Sequence, residues 1–310
     1  MKAVRVHAFG SPEVLRVEDV PIPAPGPGTV LVRVVAAGVG PWDSWIRAGR
    51  SVLPQPLPLT PGSDIAGEVA AAGPGVSAYA PGDAVLGVTN KQFTGGYAKF
   101  ALADAGMITL CPPSLSPLEA ASLPVVSVTA QQALERADIA AGQTVLIHGG
   151  AGSVGGIAVQ LARRAGARVI ATAHARDLAY VRNLGADEVL DASVGRFEDA
   201  LADGADAVMD FVGGETQTRS FSVLRPGGHL ISAVSEPDKA LAQRNRVTAS
   251  FLLVQVSSER LASLAALFGA RELAADIGAV LPLASARTAH EMLDGARRRP
   301  RGKIILSVAP

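Results

Sequence analysis

Thr144-Val145-Leu146-Ile147-His148-Gly149-Gly150-Ala151-Gly152-Ser153-Val154-Gly155 runs straight into Gly156-Ile157-Ala158-Val159-Gln160-Leu161-Ala162. The stretch reads as a buried strand, a glycine-rich turn and the opening of a helix. A short apolar run rich in β-branched residues suits a parallel strand covered on both faces. Gly150, Gly152 and Gly155 fit G-x-G-x-x-G: the first glycine permits the tight turn, the second lets backbone amides approach a pyrophosphate, and the third lets the helix pack closely on the strand. The helix N-terminus adds unpaired N–H groups and the positive end of its dipole. Three glycines among 33 would equally suit a flexible loop. The strand before them and the helix after them point instead to a dinucleotide site at Gly150, Ala151, Gly152, Ser153, Val154 and Gly155.

The next strand, Arg168-Val169-Ile170-Ala171-Thr172-Ala173-His174-Ala175-Arg176, bears on which coenzyme is held. An NAD site places Asp or Glu about 20 residues beyond the first glycine, where it bonds the ribose 2′-hydroxyl. No acidic residue occurs between Gln143 and Arg176. Arg176 can pair with a 2′-phosphate as a charge-assisted fork and His174 can donate a further bond, so NADPH is the expected coenzyme. The plain alternative is a solvated Arg176 in the first turn of a helix, an unfavourable end of the dipole for a cation.

Working outward, strand-like segments at 144–148, 168–171, 188–190, 207–210, 229–232 and 247–253 alternate with helical ones such as 157–165 and 178–184. Such alternation requires a parallel sheet with helical crossovers, and six strands suggest a doubly wound nucleotide fold. Toward the N-terminus the chain is β-rich, with runs at 4–8, 14–20, 30–35, 65–71, 84–88 and 97–102 separated by clusters such as Pro21-Ile22-Pro23-Ala24-Pro25-Gly26-Pro27-Gly28. Proline punctuates there rather than pairs, and an antiparallel, barrel-like module is expected. Ser116-Pro117-Leu118-Glu119 has the layout of a capping box and predicts the start of a long helix. After a helix at 259–268, the final strand 303–308 is assigned back to the first module. The expected fold is therefore α/β, with a β-barrel domain over 1–122 completed by 266–310 and a doubly wound parallel sheet over 123–265. Arg297-Arg298-Arg299-Pro300-Arg301 reads as a basic last helical turn stopped by proline, in preference to a nucleic-acid patch.

The 310 residues are 48% apolar, enough to bury a core in each of two domains. Charged residues make up 18% and cancel, 28 Lys and Arg against 28 Asp and Glu. That balance argues against disorder and against a nucleic-acid partner, which requires a basic footprint. Cys111 is the single cysteine, so neither an internal disulfide nor a cysteine-rich zinc module can form. No apolar run approaches the ~18 residues of a membrane span. Met1-Lys2-Ala3-Val4-Arg5 leads directly into strand-like sequence, so a cytoplasmic protein without a membrane partner is expected.

Further motifs follow in a fixed order: Val34-Val35-Ala36-Ala37-Gly38-Val39-Gly40-Pro41-Trp42-Asp43, Pro61-Gly62-Ser63-Asp64-Ile65-Ala66-Gly67-Glu68-Val69, Pro81-Gly82-Asp83-Ala84-Val85, the glycine turn, Leu184-Gly185-Ala186-Asp187, Leu224-Arg225-Pro226-Gly227-Gly228 and Gly302-Lys303-Ile304-Ile305-Leu306. Over essentially its whole length the chain resembles the medium-chain dehydrogenase/reductase superfamily, and within it the zinc-free quinone oxidoreductase, or zeta-crystallin-like, branch. The resemblance implies a GroES-like catalytic domain split by sequence around a Rossmann domain, with the active site in the cleft between them. Zinc-dependent alcohol dehydrogenases of the superfamily carry a catalytic Cys after Gly-Val and a His-Glu pair after Pro-Gly. Here those positions are Gly40 and Ser63-Asp64. Zinc needs three or four convergent ligands, and a metal-free site is expected. Without a Lewis acid, reducing a simple ketone needs protein donors to stabilise an alkoxide, whereas hydride addition to a quinone or an α,β-unsaturated carbonyl gives a delocalised phenolate or enolate. The implied activity is NADPH-dependent reduction of such an acceptor, with the protein juxtaposing the reactants and excluding water.

The resemblance also implies site residues. On the substrate side these are Gly40, Pro41, Asp43 and Trp45, with Phe93 in a nearby loop. Quinone reductases often have Asn where Gly40 stands and Tyr where Trp45 stands, so two polar groups are absent here. Trp42 and Trp45 can stack on a flat quinone or fill a core, and Tyr97 is either an acid or a structural residue at a strand start. On the coenzyme side are Thr129, the strand-end residues Phe211, Val212, Ala233, Val234 and Ser235, then Phe251, Leu252 and Leu253 beside the nicotinamide, and Lys303 from the final strand. Asp191-Ala192 replaces an Asn-Tyr pair of the relatives. His148 reads as a satisfied strand-end residue in preference to a catalyst. The apolar run 250–256 is the expected edge strand of a homodimer. Two other functions stay compatible: a zinc-independent alcohol dehydrogenase or enoyl-thioester reductase, and a non-enzymatic, crystallin-type NADPH-binding protein.

Overall fold

The computed structural model describes residues 1–308. They divide into two compact units: Met1–Val125 with the stretch from Val256 onward, and Val126–Gln255.

In the first unit β1 (Lys2–Arg5) pairs antiparallel with β2 (Arg16–Asp19). The spine is β3 (Thr29–Val39), which runs through Gly40 into helix α1 (Pro41–Arg47). Next come β4 (Asp64–Ala72), β5 (Ala84–Val88), β6 (Phe100–Asp104) and β7 (Ile108–Leu110). β3 pairs antiparallel with β4 along most of its length and with β6 through its first half; β4 pairs with β5, and β5 with β7. Most of β3 is buried, which is why alternation is blurred in its sequence. Ser116 caps α2 (Pro117–Ala121), its hydroxyl accepting from the Glu119 N–H while the Glu119 carboxylate accepts from the Ser116 N–H. The long helix expected from this cap is interrupted. Pro124 has no N–H to continue a helix, and a new one, α3 (Pro124–Arg136), starts there.

The second unit contains β8 (Thr144–His148), α4 (Ser153–Arg164), β9 (Arg168–Ala173), α5 (Leu178–Asn183), β10 (Glu188–Asp191), β11 (Ala205–Asp210), α6 (Gly214–Ser220), β12 (Leu224–Ser232), α7 (Lys239–Asn245) and β13 (Thr248–Phe251). Its six strands are all parallel, in the order β10-β9-β8-β11-β12-β13. The chain enters at β8, moves outward to β10, then returns to β11 on the other flank. The topological switch point, where open sheets of this kind hold ligands, lies between β8 and β11. Leu146, Ile170, Val208 and Leu230 pack with Phe197 and Phe221 in one core cluster, each burial stabilising by roughly 1.5–3 kcal/mol.

The chain then adds α8 (Ser258–Gly269), β14 (Ile277–Pro282), α9 (Ala286–Leu293) and β15 (Lys303–Ser307). β15 pairs antiparallel with β3 and parallel with β14, completing the first sheet. Residues 256–265, expected with the nucleotide fold, group with the first unit. The reason is that α8 packs on β7 and buries Leu261, Leu264, Ala265 and Phe268. The arginine run is also placed differently: α9 ends at Leu293, and Gly295 takes a φ of 81° beyond it, a left-handed exit that glycine favours. The arginines lie past the helix, Arg297 pairing with Glu291 and Arg301 with Asp276. No helix among the described residues is long and apolar enough to cross a membrane.

Candidate functional site

In the second unit, β8 delivers Gly149 at the switch point with a φ of 74°. A Cβ on Gly155 would lie well inside 3.0 Å of the Gly149 carbonyl, so helix and strand end meet more closely than any other residue permits. Gly152, exposed, is the N-cap of α4. The first-turn N–H groups at Ser153, Val154 and Gly155 have no helical acceptor before them. Ser153 Oγ is shielded from solvent and has no hydrogen-bond partner. An oriented cluster of amides with a spare hydroxyl is a donor set that fits a pyrophosphate.

β9 ends beside this turn, and His174 and Arg176 are both exposed. The Arg176 guanidinium is 74% exposed and lies 3.4 Å from Asp177. Asp191, at the end of β10, accepts from the Ser193 hydroxyl and N–H, which hold its carboxyl below the usual range. The ends of β11, β12 and β13 stand in register, Asp210 beside Ser232 and Ser232 beside Phe251. Beyond them Val212, Val234 and Leu253 are exposed apolar side chains, and Val212 approaches Gly149. Phe211 and Ala233 are half-buried, Ser235 is exposed, and Leu252 is buried with its N–H on the Ser232 carbonyl. Thr129 is buried on α3, and the same helix pins the segment after β13: the Gln132 amide bonds both the N–H and the carbonyl of Gln255. Sequence reasoning missed Asp210, Gln217 and Ser232, buried polar residues that bond one another beneath these strand ends.

His148 lies fully buried in this unit. The Ser220 hydroxyl donates to the Thr216 carbonyl, so His148 Nε2 donates to Ser220 Oγ and Nδ1 accepts from Thr172 Oγ1. Burial pushes its pKa down to about 4. The ring is neutral, satisfied and structural.

In the first unit, Pro41 and Trp45 are exposed on α1. Asp43 and Phe93, expected with them on the substrate side, are buried instead. Asp43 Oδ2 accepts from the Gly40 N–H at 2.8 Å and from the Tyr97 hydroxyl at 3.0 Å, and Oδ1 has no partner. Burial pushes the Asp43 carboxyl up to about 7 and the Tyr97 phenol well above its ordinary range. Asp43 thus ties the start of α1 to Tyr97, whose hydroxyl is committed there. Phe93 is turned inward by a left-handed φ of 59°, held by Asn90, whose side chain bonds Gln92 and Thr94. Lys303, expected at the coenzyme, is buried as well: its ammonium bonds Asp64 at 2.8 Å and sits 4.3 Å from the centre of the Trp42 ring.

The positions that hold zinc ligands in the metal-dependent relatives do not offer a metal a donor set. Gly40 has no side chain, and a Cβ there would run into the Trp42 ring. Ser63 Oγ accepts from the Trp42 indole, and Asp64 is taken by Lys303 and the Val125 N–H. Among the described residues no group of three or more His, Cys, Asp or Glu converges as a metal site.

Residues 26–113 match the alcohol dehydrogenase GroES-like domain family, and residues 184–306 match the zinc-binding dehydrogenase family. Human quinone oxidoreductase is 33% identical, over 99% of this chain and 97% of its own length. The solved quinone oxidoreductase from Coxiella burnetii superposes with a TM-score of 0.93 at 34% identity, covering 100% of this chain and 99% of its own. A mycobacterial protein solved in complex with NADPH gives 0.88 at 31% identity, covering 99% and 100%. With a doubly wound nucleotide unit, an antiparallel unit completed from the C-terminus and whole-length relatives, the chain belongs to the medium-chain dehydrogenase/reductase superfamily, in its quinone oxidoreductase, zeta-crystallin-like group.

Proposed function

We propose that this oxidoreductase uses NADPH to reduce a quinone or an α,β-unsaturated carbonyl without a metal ion. The observation that carries the reading is the first turn of α4: amides and an unpartnered, shielded Ser153 hydroxyl lie beside a strand end where His174 and Arg176 are exposed, with no acidic residue between Gln143 and Arg176. The N–H groups of Ser153, Val154 and Gly155 hold the pyrophosphate, and Arg176 with His174 holds the 2′-phosphate. Val212, Val234 and Leu253 give the nicotinamide a dry rim that keeps water from the reacting face. When bound, the coenzyme supplies a hydride.

Pro41 and Trp45 form the acceptor side, with the half-exposed Trp45 indole free to stack on a flat ring, while Gly40 lies buried under the Trp42 ring. Asp43, Phe93 and Lys303 are withdrawn into the core, and neither Tyr97 nor His148 has a proton to give. The Asp64–Lys303 pair and the Trp42 ring support the metal-free reading, because they fill the space and the charge that a metal would need. β13 is the terminal strand of the parallel sheet, and this edge position supports a homodimer in which it pairs with a second copy.

The test is NADPH consumption by chelator-treated protein against quinones, enones and an acyl thioester. Quinone or enone turnover that is indifferent to chelator is the expected result. Activity lost on chelation and restored by zinc overturns the metal-free reading, and preference for the acyl thioester makes the chain an enoyl-thioester reductase. Tight NADPH binding without turnover of any acceptor makes it a binding protein.

A further inference from the structure

We propose that Asp210 is the positioning residue for the nicotinamide half of the coenzyme; the inference rests on the coenzyme reading above. The Asp210 carboxylate is fully buried and accepts from four donors on three segments. Two are the N–H groups of Val212 and Gly213 in the loop after β11, at 3.0 and 2.7 Å. The others are Gln217 Nε2 on α6 and Ser232 Oγ at the end of β12, both at 2.9 Å. The second loop is tied in through these partners. Ser232 Oγ accepts from the N–H groups of Val234 and Ser235 at 3.2 and 3.3 Å, and Gln217 Nε2 also reaches the Ser235 carbonyl at 3.2 Å.

None of the four donors is a cation, so the charge is balanced only by hydrogen bonds, an arrangement whose parts are costly to remove singly. The sheet itself does not require it, since β11 and β12 are already paired through their main chains. What the carboxylate fixes is the geometry beyond the strands. Gly213 and Gly214 take φ values of 79° and 61°, and Val212 and Val234 are held exposed at the rim. Asp210 touches no ligand-facing surface and acts through the two loops.

Asp210→Asn separates the tethers. An asparagine has one acceptor oxygen; with that oxygen on Val212 and Gly213, its NH2 faces Gln217, whose amide must turn its own oxygen inward and release Ser235. Ser232→Ala is the milder variant, removing one buried hydroxyl and leaving the carboxylate, and it keeps the test available if the first variant does not fold. The probes are NADPH, followed by its fluorescence, and 2′,5′-ADP, which lacks the nicotinamide. In Asp210→Asn, NADPH affinity is expected to fall about tenfold or more and its bound emission to lose its enhancement, while 2′,5′-ADP stays within about twofold; Ser232→Ala is expected to weaken NADPH about threefold by the same pattern. If both variants bind NADPH as the unmodified protein does, the positioning role is overturned and the coenzyme reading stands. If 2′,5′-ADP affinity falls in step with NADPH, the carboxylate supports the whole unit and the role is overturned. If the unmodified protein binds neither probe, both readings fall.

Discussion

Arg176 and Asp43 stand in opposite surroundings. The Arg176 guanidinium stands largely in water, 3.4 Å from Asp177, and such a contact contributes little. Its value lies in a second anion. Arg176→Ala is expected to weaken NADPH by about tenfold or more while NADH changes by less than about twofold, since a hydrogen bond to a charged group contributes about 1.5–3 kcal/mol. Titration with both coenzymes checks this, and an equal loss for the two would leave the arginine without a phosphate. Asp43 is fully buried, and burial raises its carboxyl from 3.8 to about 7, against the pull of the Gly40 N–H. Between those values the folded protein holds a proton that the unfolded chain releases, so this group's contribution to stability falls as pH rises through that window. Asp43→Asn removes the dependence and should gain on the unmodified protein between about pH 4 and 7, by a few kcal/mol at about 1.4 kcal/mol per pKa unit. Urea unfolding of both proteins across this range measures the difference; a constant gap would mean that Asp43 is charged throughout.

The strand-turn-helix around the glycines shows which demands belong to the fold and which to the ligand. Gly155 is needed by the fold, because any side chain meets the Gly149 backbone. Gly152 has a φ of −75°, which alanine accepts, and a Cβ there meets only the Gly149 carbonyl at 3.2 Å. Gly155→Ala is therefore expected to cost more than about 2 kcal/mol of stability, whereas Gly152→Ala should keep its melting temperature and lose about tenfold in NADPH affinity by placing a methyl on the pyrophosphate face. Thermal unfolding and coenzyme titration separate the two, and a matched loss of stability in both variants would refute the division. This element was legible in sequence because its constraints are local: a buried run, three spacings and a helix start. The six parallel strands with their crossovers were legible for the same reason, one strand and one crossover at a time, whereas their order across the sheet is set by contacts distant in sequence. The buried charges were not. Asp210 meets Gln217 and Ser232 through strand register, across 7 and 22 positions, and Lys303 meets Asp64 across 239. The tie made by Asp43 was not read although a signal existed: an acid three residues after Gly40 at a helix start is a capping residue, and the family resemblance drew it to the substrate side instead.

At the scale of the whole molecule, each unit buries one neutral histidine, and the two units differ in what offsets it. Burial lowers His148 in the nucleotide unit from 6.5 to about 4, and lowers His290, beside Arg47 in the other unit, from 6.5 to about 3. The unfolded chain takes up these protons near its ordinary value, so each contribution to stability is present above pH 6.5 and is lost as pH falls toward the folded value. In the first unit Asp43, raised by burial to about 7, works in the opposite sense over the same range. The lowered carboxyls, Asp191 and Glu198 in the nucleotide unit and Asp19, Glu119 and Asp294 in the first, lose their contribution only below their ordinary values of 3.8 and 4.5, so in the nucleotide unit they leave the loss between pH 7 and 5 unopposed. Acidification from about pH 7 to pH 5 should therefore weaken the nucleotide unit more, with His148 alone contributing on the order of 2 kcal/mol by then. Both tryptophans, Trp42 and Trp45, lie in the first unit, so their fluorescence reports that unit while far-UV circular dichroism reports both. Urea melts should show the dichroism transition moving to lower denaturant relative to the tryptophan transition as pH falls. The shift should shrink in His148→Gln, where no proton is gained on unfolding. A tryptophan signal that leaves first in acid would mean that Asp43 does not hold its proton.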